Sequence, residues 1–132
     1  MARCRLFYFP IIPQKHMKSL LLDRDAWDLV LDAHGNIAAC WEPYARAQDV
    51  ACACRLFAGE QWYDTTAGIP YDSEILGQWP PLSLVRERLR QAAVSVDGVV
   101  SAQVFITDVG NRQIRGQVQF IDIDGQTRGV TF

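Results

Sequence analysis

A chain of 132 residues, 49% hydrophobic and 21% charged, has enough apolar content for one packed core and is too short for two domains of ordinary size. Its formal net charge of -2 provides no general attraction to a phosphate backbone. No apolar run approaches the roughly 18–20 residues that span a bilayer, so neither nucleic acid nor a membrane is expected as a partner.

Residues 1–16 hold Arg3, Arg5 and a short apolar run from Leu6 to Ile12, a faint imitation of a secretory leader. Pro10, Pro13, Gln14 and Lys15 break that pattern and no small-residue cleavage site follows, so secretion is not expected. Met17 is a second plausible start, which would make residues 1–16 an extension with no role in the fold and residues 17–132 the single domain. Trp27 to Asp32 alternates apolar and polar residues, His34-Gly35-Asn36 supplies turn chemistry, and Ile37 to Trp41 follows, which predicts a hairpin.

Ala45 to Ala58 predicts the first helix: Ala47, Val50, Ala51, Cys54, Phe57 and Ala58 fit a 3.6-residue period, with Gln48, Cys52 and Arg55 on another face. Gly59 is placed to stop it in a left-handed conformation. The connector from Glu60 to Gly77 needs packing of its own, which Trp62, Tyr63, Ile69, Tyr71, Ile75 and Leu76 can provide. Pro80-Pro81 forces an extended lead-in, and Ser83 is placed to cap a second helix whose Leu82, Val85, Leu89, Ala92 and Ala93 form an apolar stripe. After Asp97-Gly98, strands are expected at Val99 to Val109, Arg112 to Ile123 and Thr127 to Phe132. Val100, Ala102, Val104 and Ile106 should share one face of the first, and Ile114, Val118 and Phe120 one face of the second. The fold class is α+β: two main helices packed on a mainly antiparallel sheet that ends in a β-meander.

Few constellations carry chemistry. Cys4, Cys40, Cys52 and Cys54 lack C-x-x-C spacing, and on a helix Cys52 and Cys54 would project about 200° apart. They read as structural thiols, and no metal or cofactor is expected. His16 and His34 are isolated, no Ser lies in a nucleophile elbow, and the Asp-Gly and Val-Gly pairs are spaced as turns and not as a phosphate loop. Arg86, Arg88 and Arg90 form the densest basic cluster, which reads as a solvated face or a set of ion-pair partners. Glu60 and Asp64 could serve as the carboxylate pair of a small peptidoglycan-cleaving glycosidase, but tying a helix end and an Asp-Thr-Thr turn is the preferred reading of both.

Association is the remaining mode of action. Trp41, Trp62, Tyr63, Tyr71 and Trp79 exceed what an idle surface requires, and aromatic side chains are favoured anchors in buried interfaces. The terminal meander must leave at least one strand edge open unless a partner covers it, and such an edge is a template for strand addition.

Leu56-Phe57-x-Gly59-Glu60 followed by Asp64-Thr65-Thr66-x-Gly68-Ile69-Pro70-Tyr71, with Gln48-Asp49 on the preceding helix and Pro80-Pro81-Leu82-Ser83-Leu84-Val85 after it, resembles the baseplate wedge and sheath-initiator family of contractile phage tails, a group long labelled lysozyme-like. The resemblance runs from about Met17 to the C-terminus. It implies a structural, non-enzymatic protein made in the host cytoplasm and built into the virion tail baseplate in a sixfold arrangement. Its partners would be other wedge proteins, the sheath protein and the tail tube or hub. The residues expected to meet those partners are Trp62, Tyr63, Ile69, Tyr71 and Trp79 in the connector, and Thr127, Arg128, Val130 and Thr131 in the last strand.

Overall fold

Three aspartates decide the path of the N-terminal part. In the computed structural model, which describes residues 18–111 and 113–132, Asp23 accepts hydrogen bonds from the amides of Asp25 and Ala26, Asp28 from Leu29, and Asp32 from His34 and Asn36. Each bond folds the backbone locally, as short acceptor side chains do in turns. The expected hairpin therefore forms only around Asp32 to Asn36, where Leu31 bridges Ile37. Strand β2 (Ala39–Trp41) pairs instead with β1 (Lys18–Leu20), in antiparallel register from Lys18 opposite Trp41 to Leu20 opposite Ala39. Trp27 is not a strand residue. Its φ is 56°, and its ring lies 4.0 Å below the Arg55 guanidinium. The expected extension, residues 1–16, lies outside the described residues, as do Met17 and Arg112.

Helix α1 (Tyr44–Arg55) ends one turn before the expected Ala58. The connector captures the chain at that point: the Ala58 amide donates to the Ile69 carbonyl and the Ile69 amide to the Leu56 carbonyl, both at 2.9 Å, so that residues 56–58 run extended beside residue 69. These strand-like bonds replace the helical ones that would have continued α1. Gly59, with φ 81°, belongs to the tight turn from Phe57 to Glu60 and does not cap the helix. Gln48, expected on a different face from the apolar stripe, is buried. Its side chain acts as a surrogate strand, accepting from the Leu22 amide at 2.9 Å and donating to the Leu20 carbonyl at 2.6 Å, which ties β1 to α1.

A single π-helical turn, Tyr71–Ile75, leads to helix α2 (Leu82–Val94). The N-cap is Pro81, in an extended conformation, and Ser83 lies inside the first turn without capping it. Proline is tolerated there because the first helical amides have no intrahelical partner. Val85, Leu89 and Ala93 form the buried stripe, whereas Leu82 is exposed at the open end of the helix.

Strands β3 (Val99–Gly110), β4 (Gln113–Asp122) and β5 (Thr127–Thr131) form the antiparallel meander in the order β3-β4-β5. Ala102, Val104 and Ile106 lie opposite Phe120, Val118 and Gly116, and face the helices. Val100 does not join them: a register shift between Val99 and Ser101 turns it outward, and Val99 packs against the core in its place. Such a bulge adds one residue to a strand and reverses the facing of what precedes it. The core joins Val50 and Cys54 of α1, Ile69 and Ile75 of the connector, Val85, Leu89 and Ala93 of α2, and Ala102, Val118 and Phe120 of the sheet. Full burial of a side chain such as Leu89 or Phe120 contributes about 1.5–3 kcal/mol. The expected α+β architecture is the observed one.

Candidate interaction surface

The connector sorts its aromatics by exposure. Trp62 and Tyr63 sit in the turns between Phe57 and Asp64, 88% and 68% exposed, with ring centroids 5.6 Å apart in an edge-to-face arrangement. Trp79 is 95% exposed and held at φ 48° immediately before Pro80-Pro81. A bulky residue in the left-handed region is strained, and an exposed indole leaves a large apolar area in water. Nothing within the described residues compensates either cost. Ile69 is buried and Tyr71 half-buried, its ring tilted against Phe57 at 4.9 Å and its hydroxyl donating to the Cys54 carbonyl. These two fasten the connector to α1 while Trp62, Tyr63 and Trp79 point away from it. Trp41, at the end of β2, is also exposed and lies 5.4 Å from the Lys18 ammonium.

Gly68 makes the fastening possible. Its φ is 103°, and a Cβ there would lie 2.5 Å from the Phe57 carbonyl oxygen. Only glycine permits both the conformation and the approach.

At the far end of the sheet, the hydrogen bonds from Phe132 N to Gly116 O and from Asp122 N to Gln126 O show that the even-numbered residues of β4 and β5 bond to each other. By alternation, Thr127, Gly129 and Thr131 direct their amides and carbonyls away from the sheet, and no further strand of the described residues lies there. The side chains of Arg128 and Val130 lie on the core face of the sheet: Val130 packs against the core, and Arg128 Nε donates to Asp122 Oδ2 at 2.9 Å. The edge is thus offered by the backbone of the odd positions and braced by the side chains of the even ones.

The brace continues inward through residues that the sequence reading missed. Asp122 is buried, and its other carboxylate oxygen accepts from the amides of Asp124 and Gln126, closing the β4–β5 turn. Burial pushes its pKa up, but the Arg128 guanidinium and the two amides outweigh burial and hold the carboxyl below its ordinary range. Arg46 of α1, also buried, places Nη1 3.5 Å from Asp122 and pairs with Glu42 one helical turn away. Gly98, with φ 84°, leaves the space for Arg46, since a Cβ there would meet its Nε at 2.6 Å. Glu42 and Arg46 at i,i+4 spacing were the only sequence signal for this cluster.

The other candidates resolve into local structure. Glu60 accepts from the Phe57 amide, and Asp64 from the amide and hydroxyl of Thr66, contacts that lower the Asp64 pKa. Asp64 lines a groove of about 500 Å³ between the end of α1, the connector and α2, but Glu60 does not, so the two carboxylates do not face a common cleft. Arg88 pairs with Glu74 and Arg90 with Glu87, each through two hydrogen bonds. Burial raises the pKa of Cys40, Cys52 and Cys54, the last to about 12, so these thiols stay protonated. Among the described residues no three His, Cys, Asp or Glu side chains are placed to share a metal ion, and no helix is long and apolar enough to cross a membrane.

A search of curated proteins returned no match. The contractile injection system sheath initiator family matches residues 18–125, which takes in both small strands, both helices, the aromatic connector and most of the meander, and the chain belongs to that family.

Proposed function

We propose that this protein is a structural component of a contractile phage tail baseplate, which joins wedge subunits through its connector and templates the first sheath ring by strand addition on β5. The observation that carries the reading is the open edge of β5, where Thr127, Gly129 and Thr131 present unpaired backbone groups on a strand whose position is held from behind by the Arg128–Asp122 bond. Strand addition draws affinity from main-chain hydrogen bonds and tolerates ordinary side chains, which suits so polar a segment. Trp62, Tyr63 and Trp79 supply the wedge contact, with Ile69 and Tyr71 fixing the loop that carries them. The protein, made in the host cytoplasm, enters the baseplate as a unit comprising residues 17–132, in sixfold array around the tube or hub, and performs no reaction there.

Thr131→Pro tests the sheath role, because proline removes an outward amide while the packed face of the sheet is untouched. Tails carrying the variant should have complete baseplates and tubes but little ordered sheath by electron microscopy. Normal sheath growth from a folded, incorporated Thr131→Pro protein overturns the reading.

A further inference from the structure

The sheet has a second open edge, on β3, and this edge lies in a groove. Because the even residues of β4 bond to β5, its odd residues Gln117, Gln119 and Ile121 bond to their β3 partners Phe105, Gln103 and Ser101. The backbone groups of Ala102, Val104 and Ile106 are therefore directed outward. Register shifts flank this window, between Val99 and Ser101 and between Ile106 and Asp108, so Ser101 to Ile106 is the regular part of the edge, about 20 Å long at 3.3 Å per residue. Ala102, Gln103, Val104 and Phe105 form one wall of a groove of about 400 Å³, and Ser83, Arg86, Glu87 and Arg90 of α2 form the other.

We infer that this groove accepts an extended segment of another protein that carries a carboxylate side chain, adding it as a fourth strand beside β3 with the acidic group on Arg86. A helix running alongside an exposed strand provides main-chain hydrogen bonds on one wall and side-chain selection on the other, as strand-adding recognition domains require. The charge of the helical wall selects the occupant. Glu87 is engaged by Arg90 through two hydrogen bonds, whereas Arg86, exposed on the same wall, has no ion-pair partner among the described residues. The groove thus carries one uncompensated positive charge on a chain whose net charge is -2. An incoming strand bonded to Ala102 and Val104 would direct alternate side chains toward α2, which places an acidic residue within reach of Arg86 and penalises a basic one. This site lies on the opposite edge of the sheet from β5, so one segment cannot fill both, and the inference stands independently of the sheath role assigned to β5.

The test uses the isotopically labelled full chain and two capped hexapeptides, Thr-Glu-Val-Glu-Val-Thr and its counterpart with lysine in place of both glutamates, in low salt. The acidic peptide should shift the amide resonances of Ser101 to Ile106 and of Ser83 to Arg90 in a saturable manner, and bind at least about fivefold more tightly than the lysine peptide. Arg86→Glu, an exposed helical substitution that leaves the fold intact, should abolish or reverse that preference. The Thr131→Pro background keeps these shifts if β3 is the acceptor, whatever its effect on sheath growth. Shifts confined to β5, no saturable shifts, or equal binding of the two peptides by the unsubstituted protein would overturn the assignment.

Discussion

The hydroxyl of Tyr71 donates a hydrogen bond to the carbonyl of Cys54, joining the first residue of the π-turn to the last turn of α1. The bond occupies a carbonyl left without a helical partner once the chain turns extended at Leu56, and it aligns the connector along the helix end. Around it, burial raises the pKa of both the Tyr71 phenol and the Cys54 thiol to about 12, from ordinary values of 10.0 and 9.0.

Tyr71→Phe should destabilise the protein by about 1 kcal/mol, the usual net loss for a deleted hydrogen bond that leaves its partner part-buried. A pH dependence follows from the raised pKa values. Both groups are neutral in the folded protein where the unfolded chain already ionises, so their contribution is complete below pH 9.0 and is lost as pH rises toward about 12. Denaturant unfolding followed from pH 8 to pH 11 should show a falling midpoint, and Tyr71→Phe should reduce the slope.

Asp122→Asn should cost about 3 kcal/mol or more at neutral pH, because it leaves the buried Arg46 with Glu42 as its main counter-charge and weakens the hold on Arg128. The carboxyl is held below its ordinary pKa of 3.8, so its stabilisation is present above that value and disappears as pH falls through the lower folded value. The difference in unfolding free energy between the unsubstituted protein and the variant should therefore shrink as pH is taken from 7 to 3. A difference that stays constant over that range would show that the charge of Asp122 is not what stabilises the turn.

Gly68→Ala should lower stability by about 2 kcal/mol or more, since the new Cβ meets the backbone oxygen of Phe57 and φ is 103°. Gly59→Ala, where a Cβ would meet nothing within 4 Å, is the control: it carries only the positive-φ cost and should lose less. Urea midpoints of the two variants give the comparison directly.

Trp62→Ala combined with Trp79→Ala should leave the melting temperature close to that of the unsubstituted protein, because neither side chain is part of the core. Incorporation into baseplates should fall sharply, as it does when aromatic anchors are removed from an interface. Quantitative mass spectrometry of purified tails measures it; full incorporation of the double variant would assign these indoles no part in wedge contact.

The α2 stripe and the three C-terminal strands were legible to within a residue or two, because in both regions the hydrophobic period matches the element and the turns carry their own glycines. The N-terminal hairpin and the end of α1 were not. Trp27, Leu29 and Leu31 alternate correctly for a strand, yet Asp23 and Asp28 bend the chain through side-chain bonds that a hydrophobic pattern does not register. Phe57 and Ala58 continue the helical period, yet Ile69, eleven positions beyond Ala58 and thirteen beyond Leu56, takes the Ala58 amide and the Leu56 carbonyl. The candidate surface divides in the same way. That the connector was rich in aromatics could be read directly, but which of them point outward could not, since Tyr71 and Trp62 are chemically alike as interface anchors and differ only in what lies behind them.

The sequence by itself determined the α+β class, the sheath-initiator family, the meander and the lack of a metal-binding spacing, all of which follow from periodicity, turn chemistry or a local run of residues. The tertiary structure alone decided that Gln48 would clamp β1, that Arg46 and Asp122 would meet across 76 positions of the sequence to brace β5, and that β3 would present its edge along α2. The reason is physical: a local pattern specifies which face of an element is apolar, whereas a buried charge, a surrogate strand and a groove are each defined by two segments that become neighbours only when the core between them closes.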